Sequence, residues 1–197
     1  MAIRMSMQWA GVTVDEYEAV RKLVQWETKH PAGGRLHIAS FDDTGLHVTD
    51  VWDTADDFNA FVADRLMPGV AQVGIDAGQP DVRIEPLEEL LIEPVDPTGG
   101  IVFEFLWSEG TLDKWNALKD RVGWVAAPPV GGIVHTAVVG EHGVHATDVW
   151  RSAADVEAFL TQRVLPAAEE LGFTVESPAP TMRPLHAIFD PSGVIAG

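Results

Sequence analysis

Histidine is the residue type in this sequence best suited to acid-base chemistry, because the ordinary pKa of imidazole lies closest to neutrality. The chain contains seven histidines. Two pairs of them, His37 with His135 and His47 with His145, recur 98 residues apart. We take His37 and His135 as candidate general bases acting on a weakly acidic organic substrate. His47 and His145 are candidate ligand contacts.

The orientation of these histidines depends on a predicted hairpin whose turn contains Asp43 and Thr44. If a type I turn followed by a glycine bulge closes the hairpin, all four matched histidines point into the space between two sheets. If Asp43-Thr44 is a plain two-residue loop, His37 instead faces Asp50 across the ladder, and the equivalent residues pair in the second copy. We favour the bulge, because Thr44 is β-branched and poorly suited to the positive φ of a type I′ turn.

The acidic residues Asp50 and Asp148 lie among apolar neighbours, and each therefore needs a partner. Arg65 and Arg163, on the second predicted helix of each copy, are the expected partners. We favour structural ion pairs, and an anion site for a substrate carboxylate is the alternative. A metal site formed by the four matched histidines is a further alternative, although their spacing fixes no coordination geometry.

Tryptophans are the candidate walls of a ligand cavity. Trp52 and Trp150 lie at the ends of apolar strands and are expected mainly in the core, with stacking against an aromatic ligand as the alternative. Trp26 and Trp124 precede Pro-Gly segments and are candidates for lining a pocket mouth. All four tryptophans are included among the candidate ligand contacts.

The sequence is a tandem repeat. Gly45-Leu-His-Val-Thr-Asp-Val-Trp52 recurs as Gly143-Val-His-Ala-Thr-Asp-Val-Trp150, with six of eight positions identical. Tyr17, the only tyrosine, aligns with Trp115 at the same offset. A Pro/Gly-containing segment separates the copies. We predict a first repeat at residues 1–92, a linker at 93–100, a second repeat at 101–190 and a C-terminal tail at 191–197.

Hydrophobic periodicity within each copy predicts the order βαββαβ, the ferredoxin-like unit. Thr13 and Thr111 are predicted N-caps of the first helix, and Thr54 and Ser152 of the second. Proline residues are expected to interrupt the second helix. The predicted fold class is α+β, with two ferredoxin-like repeats packed sheet to sheet as an intrachain pseudo-dimeric α+β barrel. The final strands are predicted at residues 81–91 and 181–189.

The hairpin-plus-helix pattern Gly-x-x-x-Asp-Val-Trp-x-(Thr/Ser)-Ala-x-Asp-x-x-x-Phe, which begins at Gly45 and again at Gly143, resembles the antibiotic-biosynthesis-monooxygenase-like branch of the dimeric α+β barrel superfamily. The resemblance implies a cofactor-independent monooxygenase, isomerase or cyclase acting on a small hydrophobic or aromatic molecule. The alternative is a non-catalytic protein that is structural or binds a small molecule or haem. Some members carry a histidine on the second helix, and residues 55–65 and 153–163 contain none, which weakens the quinol-oxidising and haem-degrading alternatives.

Composition narrows the classes of partner. The formal net charge of −17 repels nucleic-acid phosphates and anionic lipid headgroups, so neither nucleic acid nor a membrane is expected as a partner. The sequence has no cysteine, no apolar signal-like run and no phosphate-binding, nucleophile-elbow or zinc-protease motif. We expect a cytoplasmic protein without a cofactor, with haem as the alternative cofactor. The fused pair is expected to be a monomeric pseudo-dimer or a homodimer.

Overall fold

The computed structural model describes residues 1–174 and 180–195. The chain divides into two compact units. Unit 1 comprises Met1–Pro86 and Leu185–Gly193, and unit 2 comprises the described residues of Leu87–Pro184 and Val194–Gly197. Among the described residues, no helix is long and apolar enough to cross a membrane.

Unit 1 is an antiparallel sheet with two helical segments on one face. Its elements are β1 (Ile3–Ala10), α1 (Val14–Val24), β2 (Gly34–Asp42), β3 (Gly45–Trp52), α2 (Ala55–Phe61), a π-helical turn (Val62–Leu66), α3 (Met67–Val73) and β4 (Asp81–Pro86). The strand order is β4-β1-β3-β2, and residues 185–189 of β9 (Thr181–Phe189) pair with β2.

Unit 2 repeats this arrangement. Its elements are β5 (Glu89–Ile92), β6 (Ile101–Trp107), α4 (Leu112–Val122), β7 (Gly132–Gly140), β8 (Gly143–Trp150), α5 (Ala153–Phe159), a second π-helical turn (Leu160–Val164) and α6 (Leu165–Glu170). Residues 181–184 of β9 pair with β6, and the order continues through β8 and β7 to β5. The predicted α+β class and the ferredoxin-like order of elements are confirmed.

The helices begin where the sequence predicts. Thr13 caps α1 and forms a capping box with Glu16, and Thr111 caps α4. Thr54 and Ser152 cap α2 and α5 in the same way. The expected interruption of the second helix is confirmed, since each copy passes through a π-helical turn before a final helix that has proline in its first turn.

The compact units differ from the sequence repeats at their last strands. The predicted strand at residues 81–91 is divided, so that β4 ends at Pro86 and β5 begins at Glu89. Residues 89–92 then pair with β7 of unit 2. Likewise the second half of β9 pairs with β2 of unit 1. These two segments satisfy backbone groups that β2 and β7 would otherwise leave unpaired.

The predicted glycine bulge at the turn of the hairpin is wrong, and the plain two-residue loop is observed. Asp42 pairs with Gly45, and His37 therefore pairs with Asp50. Thr44 needs no positive φ, because Gln25 is the only non-glycine residue with positive φ in the described part of the chain. Instead, the Asp42 carboxylate accepts a hydrogen bond from the Thr44 amide at 2.8 Å and stabilises the turn.

The observed register separates the matched histidines. His37 lies on the helix-covered face of its sheet. His47, ten residues along the hairpin, lies on the opposite face, where its Nε2 is 2.9 Å from Oδ2 of Asp42. His135 pairs with Asp148 on the equivalent face of unit 2. The prediction that all four matched histidines share one space is therefore wrong, and with it the arrangement required for a four-histidine metal site.

Candidate acid-base site

His37 lies between two hydrogen-bonding partners. Its Nδ1 is 2.7 Å from Oδ1 of Asp50, and its Nε2 is 2.8 Å from the hydroxyl of Tyr17. A carboxylate only accepts hydrogen bonds, so Nδ1–H donates to Asp50 and the second nitrogen of the neutral ring accepts from the Tyr17 O–H. Asp50 is only 4% exposed. The three groups form one hydrogen-bonded chain.

Helix α1 and the turn after it position this chain. Tyr17, Val20 and Val24 form the buried stripe of α1, which places the Tyr17 hydroxyl over the sheet. Gln25 ends the helix in the left-handed conformation. Trp26 follows, and its ring centroid lies 5.3 Å from that of His37. Burial raises the pKa of the Tyr17 phenol, so the phenolate is disfavoured.

A cavity of about 490 Å³ adjoins the Asp50–His37–Tyr17 chain in unit 1. Its walls are largely apolar and include Met5, Met7, Trp9, Val48 and Trp26. Arg21 and Glu27, which form an ion pair, also line it. The cavity can thus receive an apolar molecule and bring one polar group of that molecule close to the hydrogen-bonded chain.

Unit 2 has the same histidine–aspartate pair but a different third partner. His135 Nδ1 is 2.7 Å from Oδ1 of Asp148, and its Nε2 is 3.7 Å from Oε2 of Glu89. Lys119 Nζ lies 3.4 Å from Oε1 of Glu89. Two carboxylates thus flank a buried imidazole, and a lysine pairs with the second carboxylate.

The charges around His135 favour its protonated form. Burial lowers the pKa of this imidazole, but the charge and hydrogen bond of Asp148 and the charge of Glu89 outweigh burial and the opposing charge of Lys119. The net result is that the pKa of His135 is raised. The cavity beside it has a volume of about 230 Å³, about half that in unit 1.

Two residue differences between the copies explain why a different group faces Nε2 of the histidine in each unit. Tyr17 corresponds to Trp115, which has no hydroxyl. Both rings stack on the histidine of their unit, with centroids 6.1 Å apart for Tyr17 and His37 and 5.6 Å apart for Trp115 and His135. Glu89 corresponds to Ala187, which occupies the equivalent strand position beside β2. Unit 1 therefore has a phenol where unit 2 has a carboxylate.

Three of the four tryptophans predicted as candidate ligand contacts line a cavity. Trp26 and Trp124 are buried and line the cavities of units 1 and 2, respectively. Trp52 and Trp150 are fully buried. Of these two, Trp150 also lines its cavity, and its Nε1 donates to Oδ2 of Asp148 at 3.4 Å.

The predicted pairing of Arg65 with Asp50 and of Arg163 with Asp148 is wrong. Arg65 donates to the backbone carbonyls of Val24 and Lys29, and Arg163 donates to those at the equivalent end of α4. A guanidinium is attracted to the carbonyls at a helix C-terminus, and there it neutralises the negative end of the helix dipole. The aspartates pair with histidines instead.

Sequence reasoning missed Tyr17 and Glu89 as members of the two sites. Tyr17 fitted the apolar stripe of α1, and Glu89 lay in a strand where alternating polar residues are common. The available signal was the divergence between copies, since the sole tyrosine aligns with Trp115 and a charged residue aligns with Ala187. His47 and His145, predicted as ligand contacts, do not line the cavity of their unit among the residues described.

Within residues 1–174 and 180–195, no group of three or more histidine, aspartate or glutamate side chains is arranged to hold a metal ion. Both nitrogens of His37 have hydrogen-bonding partners, so ligation of haem by this histidine would require one partner to be displaced.

Solved structures share this fold at low sequence identity. A candidate monooxygenase from Lactobacillus acidophilus matches with a TM-score of 0.71 and 10% identity over 96% of this chain and 95% of its own. Another from Fusobacterium nucleatum matches with a TM-score of 0.73 and 8% identity over 96% and 94%. A ferredoxin-fold protein of Listeria monocytogenes related to antibiotic biosynthesis monooxygenases matches with a TM-score of 0.51 and 8% identity over 94% and 95%.

The comparisons establish fold rather than chemistry. No protein-family model matches the sequence, and no curated protein matches it. The structural similarity spans both units and confirms the predicted ferredoxin-like fold. A shared fold does not determine the reaction, which depends on the residues of the site.

Proposed function

We propose that unit 1 is a general acid-base site that removes a proton from a weakly acidic C–H or O–H group of a small hydrophobic or aromatic molecule. This step would begin a cofactor-independent oxygenation, isomerisation or cyclisation. The observation that carries the proposal is the hydrogen-bonded chain from Asp50 through His37 to Tyr17 beside an apolar cavity. Such a chain can accept a proton from a substrate and return it.

The proton moves through Tyr17 in this proposal. The Tyr17 oxygen accepts the substrate proton while its own proton passes to Nε2 of His37, which lies 2.8 Å away. His37 becomes an imidazolium, and Asp50 stabilises the new charge through Nδ1–H. A free phenolate is avoided, because burial raises the pKa of Tyr17. The substrate keeps the electron pair as a carbanion or oxyanion, and reversal of the relay reprotonates it.

Unit 1 supports the proposal better than unit 2. Its cavity of about 490 Å³ falls within the range of roughly 300–1,000 Å³ typical of small-molecule sites. In unit 2 the hydroxyl is replaced by the ring of Trp115, and both nitrogens of His135 face carboxylates. His135 lines its cavity but has no tyrosine hydroxyl beside it through which a proton could pass.

A non-catalytic binding protein is the second candidate function. It is favoured by the fact that both nitrogens of His37 are satisfied within the protein, as expected for a histidine that only stabilises the fold. In that case the cavity would bind a hydrophobic molecule without exchanging protons with it.

Hydrogen-deuterium exchange of 2-tetralone distinguishes the two candidates. In deuterium oxide, a site that binds this ketone and removes and returns an α-proton replaces that proton with deuterium. NMR follows the replacement, which requires no oxidant. We expect the wild-type protein to accelerate exchange and His37→Gln to lower the rate by about 100-fold or more.

The matched control is His135→Gln, which alters the equivalent residue of unit 2 and should leave the exchange rate unchanged. Equal losses in both variants would contradict the assignment to unit 1. Saturable binding of 2-tetralone without any exchange above the buffer rate would favour the non-catalytic function.

A further inference from the structure

The two cavities differ in length as well as in volume. On the helix-covered face of unit 1, successive rows across β3 and β1 are Asp50 with Met5, Val48 with Met7, and Leu46 with Trp9. All six residues line the cavity of unit 1. The four residue-to-residue steps from Asp50 to Leu46 correspond to roughly 13 Å along the strand. This cavity therefore runs from the acid-base chain to Trp9.

Within the described part of unit 2, two such rows line the cavity. Asp148 with Phe103 and Ala146 with Phe105 line it. The third row, Val144 with Trp107, is absent from its lining among the described residues. Phe105 packs against two apolar clusters of this unit, one around Trp107 and one around Trp124. Its ring thus lies where the cavity meets the third row.

The equivalent position in unit 1 is Met7. A methionine side chain is narrow and flexible and adapts to a neighbouring ligand, whereas a phenylalanine ring is rigid and occupies a fixed volume. Unit 1 correspondingly has one apolar cluster that extends from Trp9 to Trp26, with Met7 packed against it.

We infer that Met7 and Phe105 determine the length of the ligand that each unit accepts. Met7 leaves unit 1 open to an elongated apolar molecule whose polar end meets Tyr17 and whose tail reaches Trp9. Phe105 limits unit 2 to a molecule of about one ring, since an apolar cavity of roughly 150 Å³ holds a single benzene and this cavity measures about 230 Å³. The inference rests on the site of the proposed function but not on its proton transfer.

Calorimetric titration with phenol and 4-hexylphenol tests the inference, because the two probes share a polar end and differ only in length. Each buried methylene contributes roughly fourfold to affinity. The wild-type protein should bind 4-hexylphenol at one site at least about tenfold more tightly than phenol. Met7→Phe should remove this preference while phenol binding persists, which also shows that the variant is folded.

The reciprocal variant tests unit 2. Phe105→Met should create a second site for 4-hexylphenol, and Tyr17→Phe should weaken both probes without changing their ratio. An unchanged preference in Met7→Phe, or a wild-type protein that binds neither probe or both equally, would overturn the inference. If Phe105→Met does not fold, the preference of Met7→Phe for 4-hexylphenol over phenol decides whether the inference holds.

These outcomes are separable from those of the exchange experiment. Normal length selection without 2-tetralone exchange would contradict only the proposed function. Exchange in a protein whose preference for 4-hexylphenol is insensitive to Met7→Phe would contradict only the assignment of Met7 and Phe105.

Discussion

The hydroxyl of Tyr17 lies 2.8 Å from Nε2 of His37, the ring nitrogen that does not face Asp50. The half-buried imidazole is thereby fixed in one tautomer, with its basic nitrogen directed at the only tyrosine of the chain. Trp115 occupies the equivalent position in unit 2 and stacks on His135. A hydroxyl therefore faces Nε2 of His37 in unit 1, whereas the carboxylate of Glu89 faces Nε2 of His135 in unit 2.

Tyr17→Phe should abolish the relay while preserving the packing of the aromatic ring. We expect exchange of 2-tetralone to slow by about 100-fold or more, because His37 would no longer reach the substrate through a hydroxyl. Loss of one hydrogen bond should cost only about 1 kcal/mol of unfolding free energy. Trp115→Phe is the control in unit 2 and should leave exchange intact. An unchanged rate in Tyr17→Phe would show that His37 acts directly or that neither residue takes part.

The two buried aspartates should contribute unequally to stability. Asp148 accepts a hydrogen bond from the buried His135 ring and raises its pKa, so Asp148→Asn removes the main charge that compensates this imidazole. We expect this variant to lose about 3 kcal/mol of unfolding free energy at neutral pH. Asp50→Asn should lose less, since Tyr17 still bonds to His37 and this ring is partly exposed to solvent. Urea unfolding of both variants measures the difference, and equal losses would refute it.

Much of the fold follows from local sequence signals. The caps at Thr13 and Thr54, the apolar stripe containing Tyr17, and the repeat itself each reflect interactions within a short stretch of chain or a visible identity between copies. Local sequence signals do not predict which unit the last strands join. The pairing of residues 89–92 with β7 depends on backbone groups far away in sequence.

The site was harder to predict than the fold. One turn decided it, because a two-residue loop at Asp43-Thr44 places His37 opposite Asp50, whereas a bulge would have turned the histidine to the other face. The side chain of Asp42 stabilises that loop without the positive φ that Thr44 disfavours. Such a contact between side chain and backbone is not visible in hydrophobic periodicity. Arg65 likewise donates to backbone carbonyls, and a search for oppositely charged side chains cannot predict such partners.

The raised pKa of His135 makes stability depend on pH. An imidazole whose folded-state pKa exceeds its unfolded value of about 6.5 contributes stability that is fully present below about pH 6.5. That contribution disappears as the pH rises through the folded-state pKa. The groups that face His135 are Asp148 on β8, Glu89 on β5 and Lys119 on α4.

Glu89→Gln should lower the pKa of His135 and reduce this pH dependence. We expect the wild-type protein to exceed the variant in unfolding free energy by more at about pH 6 than at about pH 9, because Glu89 stabilises only the charged imidazole. Urea unfolding at both pH values measures this difference, and NMR titration of the His135 ring protons reports the pKa directly. The same difference at both pH values would show that Glu89 acts only through packing or through Lys119.

Arg65 and Arg163 should act on stability and not on chemistry. Arg163 donates from Nη1 to Ala127 at 2.7 Å and from Nη2 to Val122 at 2.6 Å, beyond the end of α4 and at its last residue. Removing charged hydrogen bonds to helix-terminal carbonyls should cost about 2 kcal/mol of unfolding free energy in Arg65→Met or Arg163→Met, a substitution that keeps much of the apolar stem. Because Arg65 contacts none of Asp50, His37 and Tyr17 through a hydrogen bond within the described structure, Arg65→Met should leave 2-tetralone exchange unchanged. A variant of normal stability with reduced exchange would instead place Arg65 at the substrate, as an ion pair with Asp50 would have required.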